Sequence, residues 1–150
     1  MRSVFILGGI AAAVATGAAG APLTPEMQAR VRVEVASASS KAIEGHERPE
    51  AAAFAGIART HCARAAEIVA TADPDPYYLG EVSRCWGDAA HSEGDHAACD
   101  YWNEAKSYYS MPGTRGPTPN SVRIRLRWIE ADLSHACGGT DVVLTRTPRG

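Results

Sequence analysis

The chain of 150 residues has no large charge excess; its formal net charge is −2. Phosphate neutralisation needs a clear cationic surplus, so no nucleic-acid partner is expected. There is no Gly-x-y period, no heptad array and no low-complexity tract, which excludes the fibrous classes. A Gly-x-Ser-x-Gly elbow is absent, as are a Walker loop and a dinucleotide fingerprint, so no cofactor is implied. None of the cysteines forms a C-x-x-C pair, which argues against a thioredoxin-type redox pair or a zinc site. His46-Glu47 lacks a second histidine four residues on, and Pro49 breaks the helix that a zinc-protease motif requires. What remains is 45% hydrophobic and 21% charged residues, too apolar for a disordered chain. The length is that of one domain.

The N-terminus carries the most specific signal. Arg2 supplies a positive start, and Val4 to Val14 form an apolar stretch broken only by glycine. Small residues follow from Ala15 to Ala21. This is the layout of a secretory signal peptide. Cleavage after Gly20 places Ala18 and Gly20 at the small-residue positions, with cleavage after Ala18 as the alternative. The stretch is too short and too rich in glycine for a comfortable membrane span of about 20 residues. No cysteine follows it, so no lipid anchor is indicated. The expectation is a periplasmic or extracellular protein with no stable membrane insertion after cleavage. Its parts are a leader at 1–20, a folded domain at 21–139 and a loose tail at 140–150, with Val142 to Leu144 as a short strand or docking segment.

Hydrophobic spacing predicts an all-α fold of about five helices in antiparallel hairpins. Thr24-Pro25 opens the first helix as N-cap and first helical position, and Gly45 ends it. Pro49 opens the second, whose stripe runs from Phe54 through Cys62 to Val69. Asp75-Pro76 opens the third, lined by Leu79, Val82, Cys85, Trp86 and Ala89. Gly94-Asp95 is the next break, with Asp95 as N-cap of the fourth. Thr118-Pro119 repeats the first opening. Residues 122–128 alternate Val, Ile, Leu and Trp with arginine, which is a strand pattern. At helical spacing, however, Val122, Leu126, Ile129, Leu133 and Cys137 share one face, and Ile124, Trp128 and Ala131 form a second. The Gly138-Gly139 stop favours helix. Two stripes predict neighbours on both sides. On that helix Arg127 is expected to pair with Glu130, and Arg125 to lie near Asp132.

Four cysteines in an exported chain read as disulfides. Residues equidistant from a hairpin turn lie opposite each other. Cys62 and Cys85 have their midpoint between Asp73 and Pro74, on the predicted turn; Cys99 and Cys137 have theirs at Thr118, in the Pro-rich loop. The pairs Cys62–Cys85 and Cys99–Cys137 follow.

Residues 87–105 run Gly87-Asp88-Ala89-Ala90, Gly94-Asp95, Ala98, Tyr101-Trp102 and Ala105. This segment resembles one tetratricopeptide or Sel1-like repeat, in which small and aromatic positions let two helices pack closely. The resemblance implies a helical array with a concave face that binds a peptide or protein.

Seven of nine aromatics outside the leader lie between Tyr77 and Tyr109. Residues 76–110 carry a net charge of −4, and residues 111–150 carry +3. These aromatics read first as the core of the third and fourth helices; the functional alternative makes Tyr101, Trp102, Glu104, Tyr108 and Glu81 the candidate binding face, an aromatic and acidic surface for a cationic partner. The leading expectation is an interaction module of the cell envelope, such as an inhibitor, immunity-type protein or adaptor, with a protein or peptide partner. A second reading is a small metal-dependent enzyme using His91, Glu93, Asp95 and His96. A third is a structural or stress protein without a discrete site.

Overall fold

The computed structural model describes residues 20–138. The expected leader, apart from Gly20, and the expected tail lie outside the described residues. Five helices follow in order: α1 (Pro25–Gly45), α2 (Ala51–Ala70), α3 (Pro76–Ser92), α4 (Ala97–Tyr109) and α5 (Ser121–Asp132). The last turn, Leu133–Cys137, widens to π geometry. Residues 121–132 are helix, and no strand occurs among the described residues.

Local chemistry sets the helix starts. Thr24 Oγ1 accepts the Met27 amide at 3.2 Å, and Pro25 stands first in the helix. The Asp75 carboxylate accepts the Tyr77 amide at 2.9 Å, ahead of Pro76. It also accepts the Arg115 amide at 3.1 Å, which ties the α4–α5 loop to the start of α3. Between α3 and α4, Gly94 takes the left-handed conformation (φ 78°). Asp95 then accepts the Ala97 amide at 2.9 Å, so it caps α4 from one residue upstream of the formal N-cap, His96.

Two expected starts are displaced. Helix α2 begins at Ala51 rather than at Pro49, because residues 46–50 form a turn closed by Arg48 N–H on Gly45 O (3.1 Å). Helix α5 begins at Ser121, because the Thr118 and Ser121 hydroxyls bond each other at 2.7 Å and hold Pro119 in the preceding turn.

Contacts across the fold give its topology. Gln28 meets Tyr78, Ser39 meets Asp88 and His46 meets His91, so α1 and α3 run in the same direction. Arg125 meets Glu81 while Asp132 lies in the field of Asp88 and His91, so α5 runs that way too. Helices α2 and α4 return: Arg59 in α2 meets Glu93 just past the end of α3, and Tyr109 at the end of α4 meets Glu81. Helix α1 packs chiefly on α2, α3 chiefly on α4, and α5 on α4. Both disulfides form as the hairpin midpoints require, Cys62–Cys85 between α2 and α3 and Cys99–Cys137 between α4 and the wide last turn.

Nine of the twenty buried apolar residues are alanines, so the helices approach closely but bury little area per residue. The larger side chains fill gaps left by glycine. A β-carbon on Gly87 would lie 2.4 Å from Trp102 Cδ1, and one on Gly80 would lie 2.6 Å from Tyr109 Cε1. Gly87→Ala is therefore expected to destabilise by about 1–3 kcal/mol despite the better helix propensity of alanine. Gly56, on the exposed side of α2, has nothing within 4 Å of a built β-carbon. There the same change is expected to stabilise by about 0.5–1 kcal/mol. Urea unfolding of the two variants checks the opposite signs.

Candidate functional site

Helices α1, α3 and α5 leave a groove of about 1030 Å³ between them. Every residue that lines it belongs to one of these helices, apart from His46 at the end of α1 and Trp102 of α4. At the α-helical rise, Arg32 to His46 spans about 21 Å along the α1 wall.

The floor is a buried charge network. Glu81 is 1% exposed and accepts the Tyr109 hydroxyl at 2.6 Å. Its second oxygen accepts from Arg125 Nη2 at 2.8 Å. Arg84, one turn on, donates to Asp88 at 2.7 Å. Asp88 also accepts from Ser39 Oγ (2.9 Å) and Trp102 Nε1 (3.2 Å). Burial pulls the Arg84 guanidinium down, but the Asp88 and Glu81 carboxylates outweigh it and hold it firmly charged. Burial and the adjacent Glu81 carboxylate push the Tyr109 hydroxyl far above its ordinary range, so it stays a donor. The floor is thus two ion pairs, Glu81–Arg125 and Asp88–Arg84, whose charges cancel.

Two groove charges make no ion pair or hydrogen bond among the described residues: Arg32 on α1 and Asp132 at the end of α5. Arg32 acts on Tyr78 near the start of α3, whereas Asp132 lies near Asp88 and His91 at its far end. Burial, and then the Asp88 carboxylate, raise the Asp132 carboxyl above its ordinary value against the pull of Arg84, His91 and His135. A carboxyl raised in the folded state weakens folding once pH climbs past its unfolded value. Asp132→Asn is therefore expected to raise the melting temperature at pH 7, with the gain disappearing below the ordinary Asp range. Thermal scans at pH 7 and pH 3 check it.

The groove walls carry uncovered apolar side chains. Ile43 is 77% exposed and Trp128 54%. Arg125 lies 4.9 Å over the Trp128 ring. The second stripe of α5 was expected to meet a neighbour; instead Ile124 and Trp128 are exposed, and only the stripe around buried Ile129 packs inward. Charge pairing on α5 also differs from expectation. Arg125 turns to Glu81 rather than Asp132, and Glu130 pairs with Lys106 at 3.2 Å rather than with Arg127.

The residues expected to form one aromatic and acidic face are divided. Tyr101, Glu104 and Tyr108 follow each other along one side of α4, where Tyr101 stacks on Trp86 and Glu104 accepts from Ser83 Oγ at 2.9 Å. Trp102 (2% exposed) and Glu81 are buried beneath the groove instead. The reason is steric: Gly87 makes room for Trp102 and draws it inward onto Asp88.

His91, Glu93, Asp95 and His96 line one pocket, but their side chains are engaged separately. Glu93 is held by Arg59, Asp95 caps α4, and His91 turns onto His46 (5.3 Å) and Trp102 (5.1 Å). Among the described residues no group of three His, Cys, Asp or Glu side chains is placed to hold a metal ion.

Asp132, Trp128 and Ile43 were not among the expected site residues, although Trp128 stood in the spare stripe of α5 and Asp132 beside Arg125 on the same helix. Compared with known proteins, the chain matches no family model, no curated protein and no solved structure.

Proposed function

We propose that this protein is an exported peptide-binding module whose ligand lies along the groove of α1, α3 and α5. One observation carries the reading: alternate helices line a single face whose floor is internally neutralised and whose apolar walls are left uncovered. The span of about 21 Å along α1 fits about six residues of extended chain. The volume stands at the upper end of small-ligand pockets, about 300–1,000 Å³. An elongated trough of that size favours a peptide over a compact metabolite.

Two further features support it. Lining one face with alternate helices is what an array of helical hairpins does, in keeping with the resemblance of residues 87–105 to a tetratricopeptide or Sel1-like repeat. Export is supported by the leader pattern at 1–20 and by the oxidation of all four cysteines. Among the described residues no helix is long and apolar enough to cross a membrane. The partner then belongs to the periplasm or the extracellular space.

Ala36 is exposed on the groove wall, so Ala36→Trp fills the trough without entering the core. A randomised hexapeptide library displayed on phage is selected against the purified protein. Enriched peptides are expected to bind the native protein and lose at least tenfold in affinity to Ala36→Trp. Equal binding to both proteins, or no enrichment, contradicts the reading.

A further inference from the structure

Resting on the groove reading, we propose that the ligand presents a lysine or arginine side chain beside an apolar one, the cation meeting Asp132 and the stem lying on Trp128. The charges of Arg125 and Arg84 are met by Glu81 and Asp88, although the buried Nε of each makes no hydrogen bond. Asp132 is the carboxylate left over, half-buried and without an ion-pair partner among the described residues.

Position supplies the rest. Trp128 and Asp132 stand four residues apart on α5, so the indole and the carboxylate are neighbours on one helix face. Lysine and arginine have an apolar stem and a charged head, and they lay the stem on apolar surface while the head seeks an anion. An indole next to a carboxylate matches both parts; Arg125 already lies 4.9 Å over the ring, so the stem takes the part of the indole left exposed. Ile43, on the opposite wall, offers a dry contact for the neighbouring apolar side chain. The other groups facing Asp132 are Asp88, whose negative charge adds to the attraction for a cation, the Arg84 guanidinium, which opposes it but is bound to Asp88 at 2.7 Å, and His91 and His135. Arg32, at the other end of the trough, gives the site a polarity: the cation of the peptide belongs at the Asp132 end.

The test uses the tightest hexapeptide from the selection on the native protein. That peptide is expected to contain Lys or Arg. Replacing this residue by norleucine, which keeps the stem and removes the charge, is expected to cost about tenfold in affinity for the native protein. Against Asp132→Asn, the same replacement is expected to change nothing, because the pair is already broken. Peptides that are blocked by Ala36→Trp yet carry no basic residue, or that lose equally against both proteins, overturn the inference and leave the groove standing. Peptides indifferent to Ala36→Trp, or no enrichment, overturn the groove and this inference with it.

Discussion

Glu81→Ala is expected to lower the unfolding free energy by about 3–5 kcal/mol, the range for removing one partner of a buried ion pair. The carboxylate is 1% exposed and is the point where three helices meet. Tyr109 reaches it from α4 and Arg125 from α5, and Arg84 lies 3.8 Å away on α3 itself. Deleting it leaves two guanidinium groups without that counter-charge and one hydroxyl without its acceptor. Tyr109→Phe removes a single hydrogen bond and keeps the ion pair, so about 1 kcal/mol is expected there. Urea unfolding of both variants separates the cost of the charge from the cost of the bond. Because Arg125 is the side chain by which α5 reaches α3, Glu81→Ala should also loosen one wall of the groove.

The second large effect is on the inner disulfide. Replacing Cys62 and Cys85 together by alanine is expected to cost about 3–4 kcal/mol, since the bond closes a loop whose ends are 23 residues apart. Typical domains have about 5–15 kcal/mol in total, so the loss is a large share. It falls on a core in which alanine is the commonest residue. Both sulfur positions are fully buried, so the change removes packing as well as the cross-link. The fall in the urea midpoint measures the sum.

The parts of this fold that were legible beforehand are local or follow from symmetry about a turn. The Thr24-Pro25 and Asp75-Pro76 starts use a side-chain oxygen within three residues of its target. The cysteine pairing needed only that each midpoint fall on a turn. Residues 122–128 fitted strand and helix alike along the chain; length and the Gly138-Gly139 stop leaned to helix, and residues 121–132 are helix.

The groove was not legible, because its contacts are long-range. Ser39 and Asp88 are 49 residues apart, and Glu81 and Arg125 are 44 apart. No pattern along the chain announces that α1, α3 and α5 run side by side. The misplaced binding face has a related cause. The acidic and aromatic neighbours of Trp102 and Glu81 left a surface reading open beside the core reading of the aromatics. Only the facing glycine shows that Trp102 turns inward, and only the arrival of Arg125 from α5 explains a buried Glu81. The spare α5 stripe was visible, but whether a neighbour covers it depends on where α1 lies.

The central claim is that the face made by the alternate helices receives the ligand. The most direct measurement is amide and indole chemical-shift mapping of the labelled protein with a selected hexapeptide. The Trp128 indole and the amides of Ser39, Ile43 and Asp132 are expected to move together while Tyr101, Glu104 and Tyr108 stay still. Shifts centred on Tyr101 and Glu104, with the groove silent, would contradict it.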